Sequence, residues 1–285
     1  MNFALASWTA PAERSSDGAL GGIDDIRRFG ALESGVALRL PPQSKTWRRT
    51  GACWFSIVTN TTTTESVALV KPLNDCRLYT FVDTAYLHGR DPALVAQQLC
   101  DGGSDLIQLR AKNAPREAVR RMAEAIHPIT QRAGVWLVIN DHLDIAREVG
   151  AEICHLGQED FFDAGYPNVS QLRAPHSALR VGLSTHAPAQ CERAVAAGAD
   201  YVAIGPVYPT GTKPAAKPVT LDYVRWAAAN VQVPWFAIGG INLATLDAVL
   251  AAGARRICVV SAILHAPDVA AECRKFRARM ERRDA

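Results

Sequence analysis

Two acidic residues draw attention because each follows a short apolar run. Asp141 comes after Trp136–Ile139 and Asn140, and Asp160 comes four residues after Ile153–Leu156. Carboxylate oxygens suit Mg²⁺, which usually completes its coordination with water and substrate phosphates rather than with histidine or cysteine. Either acid alone is more typical of a helix N-cap. Together, at the ends of neighbouring strands, they predict a magnesium site.

Cations follow apolar runs as well. Arg110 and Lys112 come after the second run, and Lys213 lies in the segment after the sixth. Ser184, after the fifth run, adds an uncharged hydroxyl donor. Arginine binds phosphate oxygens through two parallel hydrogen bonds, and lysine acts as a point charge. Such cations beside a magnesium site indicate a substrate that carries a diphosphate.

A second anion site is indicated by the residues after the last two apolar runs. Gly239–Gly240 follows the seventh run, and Val260–Ser261 ends the eighth. In (β/α) barrels the loops after strands 7 and 8 often bind a phosphate through backbone N–H groups. The hydroxyls of Thr210 and Thr212 would add uncharged donors to the same anion site.

Two histidines, His155 and His186, also stand at or near strand ends. A lone histidine in such a place is more often a hydrogen-bonded structural residue than a catalyst. No Ser-His-Asp or Cys-His spacing marks a nucleophile, so the sequence gives no support to covalent catalysis.

The elements that would position these residues alternate regularly from Arg77 onward. Gly134, Gly198 and Gly253 stand where helices would stop before the next strand. Buried apolar strands separated by helices predict a parallel sheet, and eight such units fit a closed (β/α)8 TIM barrel of the α/β class. A doubly wound open sheet is the alternative, but no Gly-x-Gly-x-x-Gly follows the first strand. The predicted strands are Leu78–Val82, Leu106–Leu109, Trp136–Ile139, Ile153–Leu156, Arg180–Leu183, Tyr201–Ile204, Trp235–Ile238 and Arg256–Val260, and the predicted helices include Ala93–Leu99, Arg116–Ala133, Pro188–Ala197, Leu221–Asn230 and Leu243–Ala252.

Composition narrows the class of protein. The 285 residues are 48% hydrophobic and carry a formal charge of +3, with seven cysteines and no CxxC spacing. An odd number of unpatterned cysteines is typical of a reduced, cytoplasmic protein. No apolar stretch approaches the roughly 18 residues of a membrane span, and no signal peptide is evident. We expect small-molecule substrates, no nucleic-acid or membrane partner, and allow a homo-oligomer.

Residues 1–75 differ from the rest because no helical or alternating pattern persists there. We interpret them as a poorly structured N-terminal extension, or as the product of a translation start placed too early, with Val67 or Val70 as later starts. Residues 76–285 would form the barrel. We assign no chemistry to the extension.

The segment from Arg77 to about Arg279 resembles the thiamine phosphate synthases along its whole length. Six motifs carry the resemblance in the family's order: Gln108-Leu109-Arg110-x-Lys112, Ile139-Asn140-Asp141, His155-Leu156-Gly157-Gln158-Glu159-Asp160, Gly182-x-Ser184-x-His186, Gly205-Pro206-x-Tyr208-Pro209-Thr210-x-Thr212-Lys213 and Ala237-Ile238-Gly239-Gly240-Ile241.

The resemblance implies a reaction and a role for each matching residue. The reaction joins a hydroxymethylpyrimidine diphosphate to a thiazole phosphate by Mg²⁺-assisted dissociation of diphosphate. Asp141 and Asp160 would hold Mg²⁺, and Arg110, Lys112, Ser184 and Lys213 would be catalytic. The pyrimidine diphosphate would contact Gln108, Leu109, Arg110, Ala111, Lys112, Asn140, Ser184 and Lys213, and the thiazole phosphate would contact Thr210, Gly211, Thr212, Gly240, Val260 and Ser261.

Two departures and two alternatives accompany the resemblance. The family has glutamate at the position of Ala111. Side chains alternate along a strand, so we expect the side chain at position 111 to point away from Arg110 and Lys112. The family has Asp-Gly at Glu152–Ile153, which we interpret as a packing change. A thiazole tautomerase on the same barrel would need an acid–base histidine but no metal pair, and a catalytically silent barrel that binds thiamine precursors would need neither.

Overall fold

The computed structural model describes residues 69–175, 177–211 and 217–282, and in them eight parallel strands close into a barrel in sequence order. Each strand pairs with the next, and β1 pairs with β8, so no strand edge is left open. The (β/α)8 prediction is confirmed. The strands are β1 Leu78–Asp83, β2 Leu106–Arg110, β3 Trp136–Asn140, β4 Ile153–Gly157, β5 Arg180–Thr185, β6 Tyr201–Ile204, β7 Trp235–Ile238 and β8 Ile257–Cys258.

Helices alternate with these strands around the outside. Short 3-10 turns occupy Leu73–Asp75, Thr84–Tyr86 and Val169–Leu172. No helix of the described residues is both long and apolar enough to cross a bilayer. The α-helices are α1 Pro92–Asp101, α2 Arg116–Ala133, α3 Leu143–Val149, α4 Gln158–Asp163, α5 Pro188–Ala196, α6 Thr220–Asn230, α7 Leu246–Ala251, α8 Ser261–Leu264 and α9 Val269–Glu281.

Helix ends follow from local sequence chemistry. The Asp91 carboxylate accepts hydrogen bonds from the first amides of α1, and Asp268 caps α9 through the amide of Ala271. Helix α2 stops at Gly134, whose left-handed backbone returns its N–H to the last helical carbonyls. A short connection then leads from α2 to β3, whereas the longer one from α4 to β5 contains the 3-10 turn Val169–Leu172.

Three carboxylates recur at the end of the barrel where the strands start. Asp105, Glu152 and Asp200 precede β2, β4 and β6, and each accepts a backbone N–H from the start of the preceding strand. Asp105 is buried and also binds Lys71 Nζ at 2.8 Å and an Arg277 guanidinium nitrogen at 2.6 Å. These side chains accept hydrogen bonds from backbone amides that the hydrogen bonds between strands do not use.

Some element boundaries differ from the sequence prediction. Strand β8 spans only Ile257–Cys258 because Val260 leaves the extended conformation to precede α8. Helix α7 begins at Leu246 because the Asn242 side chain accepts the amides of Ala244 and Thr245 in a preceding turn.

The first described residues contact the barrel. The carbonyl of Lys71 accepts the indole N–H of Trp136 at 2.7 Å, and Leu73 is buried. Contacts with the barrel are therefore present by Lys71, before the boundary expected at residue 76. Residues 1–68, which make up most of the predicted extension, lie outside the described residues.

Candidate active site

A cavity opens where the C-terminal ends of the strands meet, and most of the predicted site residues line it. Its lining combines charged, polar and apolar side chains, as ligand sites in proteins commonly do. The predicted residues in its lining are Gln108, Arg110, Lys112, Asn140, Asp141, Asp160, Ser184, Thr210, Gly240, Val260 and Ser261.

Other predicted residues do not line the cavity. Leu109 and Ala111 are buried on the opposite side of β2 and its continuation, as strand alternation requires. The expectation that position 111 points away from Arg110 and Lys112 is thus met. Gly211 lies outside the lining, while Thr212 and Lys213 fall outside the described residues.

Arg110 is held by a residue that sequence analysis missed. Asp83 ends β1, beside Arg110 in the strand register, and its carboxylate binds the Arg110 guanidinium at 2.7 Å. The Asp83 side chain is almost fully buried, and its other oxygen accepts the amide of Ala85. A buried carboxylate whose two oxygens both accept hydrogen bonds holds the arginine against the cavity wall. The available signal was the acid that directly follows the first apolar run.

Asp141 has a left-handed backbone. Its φ is +65°, a value that glycine, asparagine and aspartate adopt more readily than other residues. Its amide donates to the carbonyl of His155 at 2.9 Å, which ties the end of β3 to β4. Asn140 Nδ2 donates to its carboxylate at 2.6 Å, and Lys112 Nζ lies 3.4 Å away. These contacts hold the Asp141 carboxylate at the cavity wall.

Asp160 lies in the first turn of α4, directly after β4. Its carboxylate folds back over Gly157, where a Cβ would come within 2.6 Å of Asp160 Oδ2. Among the described residues no group of three or more histidine, cysteine or acidic side chains could hold a metal ion. Two exposed carboxylates with open space beside them fit Mg²⁺, whose remaining ligands are usually water and phosphate.

The opposite side of the cavity is built from two loops packed on each other. The amide of Val207 donates to the carbonyl of Ile238 at 2.8 Å, and that of Tyr208 donates to Gly239 at 3.1 Å. Gly240 has φ +64°, and a Cβ there would come within 2.7 Å of the Pro209 carbonyl. Only glycine fits this contact, so backbone without a side chain lines this part of the cavity.

Both histidines make the hydrogen bonds expected of structural residues. His155 Nδ1 lies 2.9 Å from the Tyr201 hydroxyl inside the barrel. His186 Nδ1 donates to the carbonyl of Gly205. Both rings also line the cavity.

The described cysteines are free and mostly buried. Burial raises the pKa of the Cys154 thiol to about 12 and that of Cys191 to about 11. Cys258, which lines the cavity floor, also has its pKa raised by burial. At neutral pH these thiols stay protonated, so the cavity floor offers no thiolate nucleophile.

Comparison with known proteins bears on what this cavity does. The family model for thiamine monophosphate synthase matches residues 78–263, which include all six motifs and every strand. The chain belongs to the thiamine monophosphate synthase family. Members of this family are transferases of thiamine biosynthesis, and the chain is therefore one of these enzymes.

Individual relatives agree with this family assignment. A thiamine-phosphate synthase of Thermus thermophilus is 44% identical over 185 residues, which are 63% of this chain and 84% of that protein. One of Gloeobacter violaceus is 46% identical over 180 residues, and there the match spans only 51% of the relative's length. The solved thiamine phosphate pyrophosphorylase of Pyrococcus furiosus superposes with a TM-score of 0.65 at 28% identity, covering 74% of this chain and 98% of that one.

Proposed function

We propose that this enzyme joins 4-amino-2-methyl-5-(diphosphooxymethyl)pyrimidine to 4-methyl-5-(2-phosphooxyethyl)thiazole, giving thiamine monophosphate and diphosphate. The observation that supports this best is the division of one cavity into two unlike sides. Acids and cations from β2, β3 and α4 form one side, and glycine-rich backbone after β7 with the start of α8 forms the other. Two different phosphate-bearing substrates need two such sides.

The diphosphate would bind on the charged side. Arg110, locked by Asp83, presents a guanidinium of fixed orientation, and Lys112 adds a mobile charge beside Asp141. Arginine suits bidentate binding of phosphate oxygens, and lysine follows charge as it develops. Lys213 would add a third cation from the loop after β6.

Asp141 and Asp160 would hold Mg²⁺ together with diphosphate oxygens. Bound there, the ion would supply positive charge that stabilises the leaving diphosphate. Two exposed carboxylates that leave most of the coordination to water and phosphate oxygens support magnesium over zinc.

The pyrimidine ring would lie over Gln108, at the inner wall. Gln108 Nε2 already donates to the Tyr79 hydroxyl, and among the described residues no donor reaches its Oε1. That oxygen would accept a hydrogen bond from the 4-amino group. The substrate methylene would then be held with its diphosphate toward Arg110.

Bond changes would require no covalent intermediate with the protein. The bond between the methylene carbon and the diphosphate oxygen breaks, and both electrons leave with diphosphate. The lone pair of the thiazole nitrogen then forms the new C–N bond to the pyrimidine cation. Burial raises the pKa of the Cys258 thiol, so this thiol stays protonated at neutral pH. It therefore offers no thiolate to attack the methylene carbon in a covalent route, which supports the route without one.

The thiazole phosphate would bind at the glycine-rich side. Gly240, Val260, Ser261 and Thr210 line that side, and backbone amides with hydroxyls are suitable phosphate donors. Holding the thiazole nitrogen beside the methylene carbon would convert a two-molecule encounter into a reaction within one complex.

The two alternatives receive less support from the cavity. A thiazole tautomerase would use one side of the cavity and an acid–base histidine, and it would have no use for the acids and cations that line the other side. A silent barrel would have no need for an arginine locked by a buried acid.

The test is product analysis with each substrate omitted in turn. The purified chain with Mg²⁺ and both substrates should form thiamine monophosphate and diphosphate in equal amounts, and neither single omission should release product. Isomerisation of a thiazole precursor without any pyrimidine would instead support the tautomerase. Binding of both precursors without turnover would support the silent barrel.

A further inference from the structure

A chain of buried hydrogen bonds crosses the barrel interior beneath the cavity. Gln108 Nε2 donates to the Tyr79 hydroxyl at 2.5 Å, the Tyr79 and Tyr201 hydroxyls lie 3.0 Å apart, and Tyr201 lies 2.9 Å from His155 Nδ1. The four side chains come from β2, β1, β6 and β4. Tyr79 and Tyr201 are 1% and 0% exposed. Gln108, Tyr79 and His155 line the cavity, whereas Tyr201 does not. The hydrogen bonds therefore join two cavity-lining side chains, Gln108 and His155, through two phenols that are almost fully buried.

The barrel is shaped to hold the Tyr201 ring in this place. Gly182 on β5 faces it, and any Cβ there would overlap the ring and its hydroxyl. Phe236 packs edge-on against both tyrosines, with ring centroids 5.3 and 5.5 Å away. His155 stacks on Tyr201 at 5.6 Å. The phenols cannot turn aside, so their hydroxyls must bond to each other and to the groups at either end.

Burial keeps both phenols protonated, because it raises the pKa of Tyr79 and of Tyr201 well above the ordinary value. Each hydroxyl therefore has one proton to donate. With Gln108 donating to Tyr79, one arrangement gives every buried hydroxyl proton an acceptor: the Tyr79 proton points to Tyr201, and the Tyr201 proton points to His155 Nδ1. Every hydrogen bond in the chain then points away from Gln108.

This common direction determines which amide atom of Gln108 faces the cavity. With Nε2 committed to Tyr79, Oε1 is the acceptor offered to a ligand. If Tyr201 lost its hydroxyl, the Tyr79 proton would have no acceptor on that side. It would turn to Gln108, whose amide would flip to accept it, and Nε2 would then face the cavity as a donor.

We propose that Tyr201 is a specificity-determining positioning residue, which fixes the amide of Gln108 so that the site selects a 4-aminopyrimidine over a 4-oxopyrimidine. This inference rests on the proposed function and deepens it. A 4-amino group donates to Oε1, whereas a 4-oxo group would place two acceptors face to face. Mismatched polar pairs at a buried site discriminate strongly between otherwise similar ligands.

The test compares Tyr201→Phe with Tyr223→Phe. Tyr223 is also buried and its hydroxyl is bonded, to Thr185 and to the Ala187 carbonyl, but it does not line the cavity. For each variant, kcat/KM is measured with the 4-amino pyrimidine diphosphate and with its 4-oxo analogue, and binding of both is measured by calorimetry without thiazole phosphate. The KM for thiazole phosphate and the unfolding temperature serve as readouts of general damage.

Tyr201→Phe should lower the ratio of kcat/KM for the 4-amino compound to that for the 4-oxo compound by about tenfold, because one hydrogen bond is lost or mispaired. The KM for thiazole phosphate should not change. Tyr223→Phe should leave the ratio unchanged. In a Gln108→Ala background, Tyr201→Phe should have no further effect on the ratio. If Tyr201→Phe does not fold, Tyr79→Phe removes the adjoining hydroxyl and should lower the ratio as well.

An unchanged ratio in Tyr201→Phe, or an equal fall in the Gln108→Ala background, would overturn the role of Tyr201. A wild-type enzyme that binds the amino compound with preference but makes no product would count against the proposed function alone, and the binding ratios would still decide on Tyr201.

Discussion

Arg110 shows how a single residue of the site depends on a neighbour that carries no obvious chemistry. The Asp83 carboxylate is buried and binds the guanidinium at 2.7 Å, so arginine and carboxylate form one rigid unit at the ends of β1 and β2. An arginine without such a partner would lose the freedom to rotate about several side-chain bonds when it binds diphosphate. The pair has already lost that freedom, which favours tight and oriented binding.

Replacing Asp83 by asparagine should therefore weaken diphosphate binding. We expect the KM for the pyrimidine diphosphate to rise by about tenfold or more, because one charge-assisted hydrogen bond is lost. The KM for thiazole phosphate should not change. Asp144→Asn is the matched control, since Asp144 binds Arg116 at 2.6 Å on the surface. Equal effects of both substitutions on steady-state kinetics would remove the positioning role of Asp83.

Asp141 and Asp160 make a second prediction at this scale. Asparagine keeps the left-handed backbone of Asp141 accessible but removes the charge. Asp141→Asn and Asp160→Asn should each lower kcat by about a hundredfold, the scale of losing a group that stabilises developing charge. More Mg²⁺ should be needed for half-maximal rate, with no change in unfolding temperature. Asp163→Asn, in α4 but away from the cavity, should behave as wild type; wild-type magnesium dependence in both site variants would refute the metal assignment.

At the scale of elements, carboxylates before alternate strands hold the start of the barrel together. Asp105 is the most connected of these, with two backbone amides, Lys71 and Arg277 as partners. Burial alone would raise its pKa, but the hydrogen bonds from Lys71 and the two amides, with the Arg277 charge, together lower the pKa below its ordinary 3.8. The ionised form is thus the one that the fold stabilises.

Asp105→Asn should destabilise the barrel by about 3 kcal/mol, because an amide N–H₂ would replace one of the buried carboxylate oxygens that accept hydrogen bonds from two backbone amides, Lys71 and Arg277. A lowered pKa contributes stability above the pKa of the unfolded chain, and that contribution is lost as pH falls through the folded value. The difference in unfolding free energy between wild type and variant should therefore be full at pH 7 and shrink below about pH 4. Urea unfolding at several pH values measures this.

The exposed Asp222, which pairs with Arg225, gives the control for Asp105. Asp222→Asn should change stability by less than about 0.5 kcal/mol at any pH. A loss as small as this in Asp105→Asn would show that the buried carboxylate does not stabilise the barrel.

The sequence predicted the elements well where burial alone decides them. Strands β6 and β7 and helix α2 have the predicted bounds, because continuous apolar runs and Gly134 mark their limits. The predicted start of α7 was wrong, because the Asn242 side chain accepts a backbone amide and forms a turn before the helix. Prediction also failed for Val260, because the end of β8 depends on how the chain turns into α8.

At the scale of the whole molecule, the strand ends predicted from sequence do converge, since a closed barrel brings them to one mouth. Motif order was sufficient to predict that Asp141, Asp160 and Arg110 lie at this mouth. It could not find Asp83 or Tyr201, because their partners lie on other strands and the sequence has no spacing that joins them.

The chain before the barrel gives a further prediction. The family match begins at residue 78, and contacts of the described chain with the barrel are present by Lys71. A chain that starts at Leu69 should therefore retain kcat and both KM values within about twofold, a difference of less than 0.5 kcal/mol. A chain that starts at Arg77 should unfold at a lower temperature, because it lacks Lys71 and Leu73. Loss of activity in the chain that starts at Leu69 would assign a role to the preceding residues.

The most direct test of the whole account is formation of thiamine monophosphate from the two purified substrates, followed with Mg²⁺ and with excess EDTA. We expect product and an equal amount of diphosphate with Mg²⁺, none with EDTA, and recovery when Mg²⁺ is restored. Product at the same rate in EDTA would contradict the role of Asp141 and Asp160, and no product from a folded enzyme under either condition would contradict the proposed reaction.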